Sequence, residues 1–239
     1  MSAAELLITI DEAPAPFTPG QTVLEAALAA GIYIPHLCHH PEFAPHGSCK
    51  LCSIVVNGRP ASACTLKAAP GQEVEVDTPE LHAFRRTLVQ MLFVEGNHFC
   101  PGCEKSGNCQ LQALGYEFEM MTPHFVHFFP DLGVDSSHPD VLIDRNRCIQ
   151  CELCVRASRD IDKKNIFALA GRGIENHLIV NSPSGKLADT NFAATDKAAQ
   201  VCPVGAILIK RVGFATPIGE RTYDREPISA EAAQCATGE

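Results

Sequence analysis

The apolar run Leu6-Leu7-Ile8-Thr9-Ile10, bounded by turn-forming residues, predicts a strand. Thr22-Val23-Leu24-Glu25 has the form of a capping box, with Thr22 as N-cap and Glu25 at the third helical position. It predicts a short helix through the alanine-rich stretch that follows, stopped at Gly31. Ser53-Ile54-Val55-Val56 predicts a second strand, turned by Asn57-Gly58 into a partner that reaches Cys64. Glu73-Val74-Glu75-Val76-Asp77 alternates polar and apolar and closes a sheet.

Further along, Thr78 and Pro79 open a helix as N-cap and first helical residue. Leu81, Phe84, Leu88, Met91 and Leu92 recur on one helical face, and Gly96 ends the run. A third region has a strand at Val141–Ile143, a helix from Val155 to Ile161, and strands near Ile166–Leu169 and Leu178–Val180. A helix toward Val201 and a strand at Ala206–Ile209 follow. Between the second and third regions, Tyr116, Phe118, Met120, Met121, Phe125, Val126, Phe128 and Phe129 crowd into residues 115–130. Packing the two halves together is the expected role, with a docking surface as the alternative. Residues from about 216 read as a loose tail or an arm lying on a neighbour.

Composition narrows the class. The 239 residues are 46% hydrophobic, enough for one or two cored domains. The net charge of -9 argues against non-specific binding to nucleic acid or an anionic membrane surface. No apolar stretch is long enough to span a bilayer, and the first residues lack the basic and apolar regions of a secretory signal. The expected location is therefore the cytoplasm. The 12 cysteines are the outlying number. In a reducing compartment, thiols gathered at short gaps suggest soft-metal sites rather than disulfides. A zinc ribbon needs two separated Cys-x2-Cys pairs. The triple Cys148, Cys151, Cys154 with a remote Cys202-Pro203 instead suits three corners of an iron–sulfur cube plus a closing ligand.

The first group, Cys38-x10-Cys49-x2-Cys52-x11-Cys64, lies in a strand–hairpin–helix–hairpin–strand order typical of a β-grasp sheet. It resembles the N-terminal [2Fe–2S] domain of respiratory complex I and hydrogenase electron-transfer subunits. The resemblance implies that the four thiolates hold one [2Fe–2S] cluster. His36, His39, His40 and His46 crowd the same loop; with four cysteines present, they read as surface or supporting groups rather than a Rieske-like pair of ligands. The second group is Asn97-His98-Phe99-Cys100-Pro101-Gly102-Cys103 through Cys109. Three cysteines can hold three corners of a cube, and His98 is the nearest donor for the fourth; the alternative is a histidine that caps the preceding helix beside an open corner. This block resembles the His-plus-three-cysteine cluster of complex I's large iron–sulfur subunit and of [FeFe]-hydrogenase N-terminal regions, with one residue rather than three between histidine and cysteine. The shorter form, with Cys-Glu-Lys-Ser-Gly, looks like the small diaphorase subunit of soluble NAD-reducing [NiFe]-hydrogenases. That likeness implies a [4Fe–4S] cluster on His98, Cys100, Cys103 and Cys109.

The third region resembles the two-cluster bacterial ferredoxin, in which each cysteine run lends its last member to the other cluster. Cys148, Cys151, Cys154 and Cys202 complete one [4Fe–4S] site. The other would need cysteines where Ser158, Phe192, Thr195 and Ala198 stand, so one cluster is expected. Gly171-x-Gly173 lacks the third glycine and strand–helix context of a dinucleotide site, and no phosphate loop or nucleophile–base pair is present. Cys235 reads as a free thiol.

These observations predict an α+β chain in four parts: residues 1–78, a [2Fe–2S] domain; 79–120, a segment whose one histidine and three cysteines hold a [4Fe–4S] cluster; 121–215, a [4Fe–4S] ferredoxin-like domain; and 216–239, a tail. The resemblance implies an electron-transfer subunit without a substrate site. Its expected partners are a diaphorase flavoprotein carrying FMN and the NAD site, and the small and large hydrogenase subunits carrying the NiFe centre. The equivalent subunit of an NAD-dependent formate dehydrogenase or an [FeFe]-hydrogenase complex, and a stand-alone iron–sulfur sensor or carrier, are the rival expectations.

Overall fold

Thr22 caps α1 (Val23–Ala29) as its sequence predicts: Glu25 N–H donates to Thr22 Oγ1, and Thr22 N–H donates back to the Glu25 carboxylate at 2.6 Å. In the computed structural model, which describes residues 6–233, this helix packs on a five-stranded sheet. The strands are β1 (Leu7–Ile10), β2 (Ala13–Pro16), β3 (Ser53–Val56), β4 (Arg59–Ser62) and β5 (Glu73–Glu75), in the order β2-β1-β5-β3-β4. β1 and β5 are parallel and the other pairs antiparallel. Asn57 and Gly58 both take positive φ, which the tight turn between β3 and β4 requires. β2 carries Pro14 and Pro16; proline cannot donate to a ladder, and β2 accordingly lies at the sheet edge.

α2 (Pro79–Glu95) starts on Thr78, whose hydroxyl accepts from Leu81 N–H, and ties the sheet to the rest of the chain. Its Arg85 is buried and donates to the carbonyls of Leu51, Ser53 and Val76 at 3.1, 2.8 and 2.7 Å. Two of those carbonyls flank Cys52. Arg85→Ala would leave two buried acceptors and one part-buried one without their donor, so we expect a loss of about 2–4 kcal/mol, read as a lower midpoint for thermal bleaching of visible absorbance.

Beyond α3 (Gln110–Glu117), β6 (Val134–Asp135), β7 (Val141–Asp144) and the later β10 (Ile207–Ile209) form an antiparallel sheet. β8 (Phe167–Ala170) and β9 (His177–Val180) form a hairpin. The helix expected over 155–161 divides into α4 (Leu153–Arg156) and a wider π turn over Ala157–Ile161. Here Ser158 is fully buried and its hydroxyl accepts from Ile166 N–H at 2.7 Å. α5 (Lys197–Gln200) contributes buried Ala198, and Phe192 stacks edge-on against Phe167. Three of the four positions that would serve a second cube are thus packed among side chains, and Thr195 faces solvent.

Two expectations need correction. The aromatic stretch does not form a core: Phe118 is buried, but Tyr116, Met121, Phe125, Val126, Phe128 and Phe129 are exposed. Among the described residues, two polar anchors, Asn97 to the Pro130 carbonyl and Phe128 N–H to the Val94 carbonyl, tie its far end down, and the chain runs over the surface there. The segment after residue 216 is not loose. α6 (Thr222–Arg225) bonds to the 107–108 turn, Ser229 donates to Glu117 on α3, and Ile228 and Ala232 are buried. Its few apolar residues are spaced too irregularly to show this from the sequence. Cys235 lies outside the described residues. No helix among the described residues is long and apolar enough to cross a membrane.

Candidate iron–sulfur sites

The first four cysteines come from two places: the long connection between α1 and β3, and the residue that follows the β4 turn. Cys38, Cys52 and Cys64 are buried and Cys49 is half-buried. The Cys38 thiol lies within hydrogen-bonding reach of Cys49 and Cys64, and Cys64 also reaches Cys52. Those bonds hold the Cys38 pKa well below the ordinary thiol range and push that of Cys64 up. Cys52, bonded to Cys64, is lowered to about 7. Cys49 is pushed well up by its bond to Cys38 and by burial, so the set splits into two thiols biased toward thiolate, the form that binds iron, and two biased against it. Cys49 N–H also points at Cys38 Sγ, 3.5 Å away.

In the second group, Cys100 opens a single 3-10 turn, Cys109 is the N-cap of α3, and Cys103 lies between them. Burial pushes Cys109 up to about 12, with the charges of Cys100 and Cys103 adding to it. Arg147 Nη1 donates to Cys103 Sγ at 3.5 Å and to Glu104 at 2.9 Å, while its Nε pairs with Asp144 at 2.8 Å. The His98 ring is packed edge-on against Phe93 and near the Leu92 carbonyl. Its Nε2 has no hydrogen-bond partner among the described residues. Burial, then the charge of Arg147, lowers its pKa to about 4, so the ring is neutral and keeps a free lone pair at Nε2. A Cβ at Gly96 would lie 2.5 Å from that nitrogen, which explains the glycine by space. The ring sits against Gly96, and its Nε2 bonds none of the three thiols. A buried, neutral, unpartnered imidazole fits a metal ligand better than a helix cap.

In the third group Cys148, Cys151, Cys154 and Cys202 line one small, mainly apolar cavity, walled also by Ile149, Leu169, Leu178, Val204 and Ile207, with Gln150 and Glu152 at its edge. Burial pushes the Cys151 and Cys154 thiols well up. Four thiols around one dry space fit a cube. Among the described residues, no three histidine, cysteine or carboxylate donors close around a single ion as zinc requires.

Some contributors could not be read from the motifs. Lys50, Gln150 and Glu152, the residues between the clustered cysteines, all take left-handed φ of 53–57°. Such turns cost about 1–2 kcal/mol each in non-glycine residues and aim successive N–H groups inward; Gln150 N–H points at Cys148 Sγ at 3.4 Å. Arg147 and Arg156 look like any surface basic residue in sequence, yet each joins two cysteine groups. Arg147 adjoins Cys148 and bonds Cys103, and a Cβ on nearby Gly205 would lie 2.6 Å from Cys103 Sγ. Arg156 connects the carbonyls of Cys38 and Cys151.

The comparisons follow the same three-part layout. A 2Fe-2S iron-sulfur cluster binding domain matches residues 3–79, the NADH-ubiquinone oxidoreductase-G iron-sulfur binding region matches 85–124, and a 4Fe-4S single cluster domain matches 141–209. The mitochondrial NADH-ubiquinone oxidoreductase 78 kDa subunit of Neurospora crassa is 29% identical over 88% of this chain, which spans 28% of that protein. A chain in the crystal structure of an NAD+-reducing [NiFe]-hydrogenase in the H2-reduced state is 55% identical, with a TM-score of 0.92, covering 96% of this chain and 99% of that one. The gamma subunit of the NAD-reducing hydrogenase HoxS of Cupriavidus necator is 42% identical across 94% of this chain and 96% of its own length. With near-complete coverage in both directions, the chain belongs to the family of NAD-reducing hydrogenase gamma subunits, the iron–sulfur subunits of those oxidoreductases.

Proposed function

We propose that the chain is the non-catalytic electron-carrying subunit of a cytoplasmic NAD-reducing hydrogenase. In this reading it holds one [2Fe–2S] cluster on Cys38, Cys49, Cys52 and Cys64, and one [4Fe–4S] cluster on His98, Cys100, Cys103 and Cys109. A second [4Fe–4S] cluster binds Cys148, Cys151, Cys154 and Cys202. Residues 1–78, 79–120 and 121–215 form the three cluster-bearing parts, and the segment from 216 acts as a strap on the second. The clusters supply one-electron transfer, which lets a two-electron flavin exchange with a distant hydrogen-splitting site. The chain's own groups do the rest: thiolates and one imidazole hold, apolar walls exclude water, and inward N–H groups and guanidinium ions offset negative charge. The carrying observation is that the third cysteine group shares an arginine with each of the other two. The proposed partners are a flavoprotein with FMN and the NAD site, and the small and large subunits of the NiFe module.

Native purification with metal and flavin analysis tests this. Nickel and FMN at one each per chain, with H2-dependent NAD+ reduction, is the expected result. Molybdenum or tungsten in place of nickel would assign the chain to a formate dehydrogenase, and a soluble monomer without flavoprotein to a free carrier.

The imidazole has a separate signature. His98→Cys adds a negative ligand, which disfavours reduction. We expect the cluster to persist with a potential lower by about 100 mV or more, scaled from the contrast between histidine- and cysteine-ligated [2Fe–2S] centres. An unchanged potential in a redox titration followed by EPR would remove His98 from the ligand set.

A further inference from the structure

Arg156 is the last residue of α4, two positions after Cys154, and only 4% of it is exposed. Its guanidinium makes no salt bridge among the described residues. Nη2 donates to the Cys38 carbonyl at 2.5 Å and to the Cys151 carbonyl at 3.5 Å; Nη1 donates to the Ala44 carbonyl at 3.0 Å, and Nε to the Glu152 carbonyl at 3.4 Å. The same group lies over the Phe43 ring, 5.5 Å from its centroid. Glu152, whose carbonyl it uses, spends its carboxylate on His46 at 3.3 Å. A buried cation is costly unless something negative compensates it, and carbonyl dipoles supply only part of that. Two of these carbonyls belong to cysteines of different groups, 113 positions apart in the chain (38 and 151).

The geometry points to Arg156 as a positioning residue: we propose that it clamps the [2Fe–2S] loop to the C-terminal cluster loop and that its uncompensated charge raises the reduction potentials of both centres together. This rests on the relay reading above and adds to it. Each centre gains one negative charge when it accepts an electron, and loses it when its neighbour is reduced in turn. A fixed positive charge between them favours the reduced form of each, so the pair stays matched. A lysine would keep the charge but could not span both carbonyls with a planar fork.

The test is a redox titration of the full-length chain followed by low-temperature EPR, in which each cluster reports its own potential. In Arg156→Gln, the [2Fe–2S] signal and the Cys148-group signal should each show an about tenfold lower reduced-to-oxidised ratio at fixed poise, roughly 59 mV for one electron. The His98-group signal stays in place as the internal reference. Arg156→Lys should recover most of the shift. Ala44→Asp puts a carboxylate on an exposed residue beside Nη1 without cutting the fork, and should move the same two signals the same way by less. It carries the test if Arg156→Gln does not retain both clusters. Two signals that are present but unmoved, or three that move equally, overturn the role of Arg156 alone. Absence of separate signals in the unaltered chain overturns the relay reading, and this inference with it.

Discussion

Cys154→Ala should leave the purified chain with about six iron atoms in place of about ten, and one EPR signal fewer, while the [2Fe–2S] signal survives. Cys154 is buried and lines the same cavity as Cys148, Cys151 and Cys202. The rest of the lining is mostly aliphatic; of its two polar members, Gln150 carries no charge and the Glu152 carboxylate is paired with His46 at 3.3 Å, so neither is placed to replace the lost thiolate. The cavity lies in the core of the third region, whose packed residues include Cys38 of the first group. The [2Fe–2S] site should survive because two of its thiols, Cys52 and Cys64, belong to the separate sheet core around Ile8, Leu24 and Ile54. Changes to residues that merely support metal ligands cost about 10–100-fold in activity, and losing a ligand from a serial relay should exceed that range. H2-driven NAD+ reduction by the assembled complex is therefore expected to fall by more than about 100-fold. Iron content together with turnover checks it; full turnover with six irons would take this centre off the route.

Phe192→Ala should lower stability by about 3–5 kcal/mol, the range for emptying a buried aromatic site. Phe192 is 5% exposed, meets Phe167 edge-on at 5.2 Å between ring centroids, and its carbonyl pairs with the buried His138 ring at 3.0 Å. It occupies a position where a two-cluster ferredoxin would have a cysteine, and its ring fills space among Phe167, Leu187 and Ala198. Truncation leaves a cavity that the fixed β8–β9 hairpin cannot close. Because unfolding of a cluster protein is coupled to cluster loss, the readout is the bleaching midpoint at a fixed heating rate, compared with Thr195→Ala at an exposed position. Equal midpoints for the two variants would show that the site is not packed as described.

Much of this is legible in the sequence because the strong signals are local. A capping box, an Asn-Gly turn and a Cys-x2-Cys-x2-Cys run each specify geometry within a few residues: the first two form as expected, and the three cysteines of the run line one cavity. What escapes depends on distant chain. β2 is hidden by its prolines, which only an edge position tolerates. The segment after 216 gains its order from Asn108 and Glu117, more than a hundred residues away. Arg85, Arg147 and Arg156 sit among the cysteine groups through contacts no local pattern records. The aromatic stretch misleads for a related reason: composition reports that phenylalanines are present, not which core has room for them, and the core of the third region is already filled by its own residues, Phe43, Phe167 and Phe192 among them.

Quantitative EPR of the chemically reduced chain at several temperatures, paired with iron analysis, tests the account most directly. The account predicts three distinct paramagnetic species, one relaxing slowly and two relaxing fast, with about ten iron atoms per chain. A single species with far less iron would contradict it.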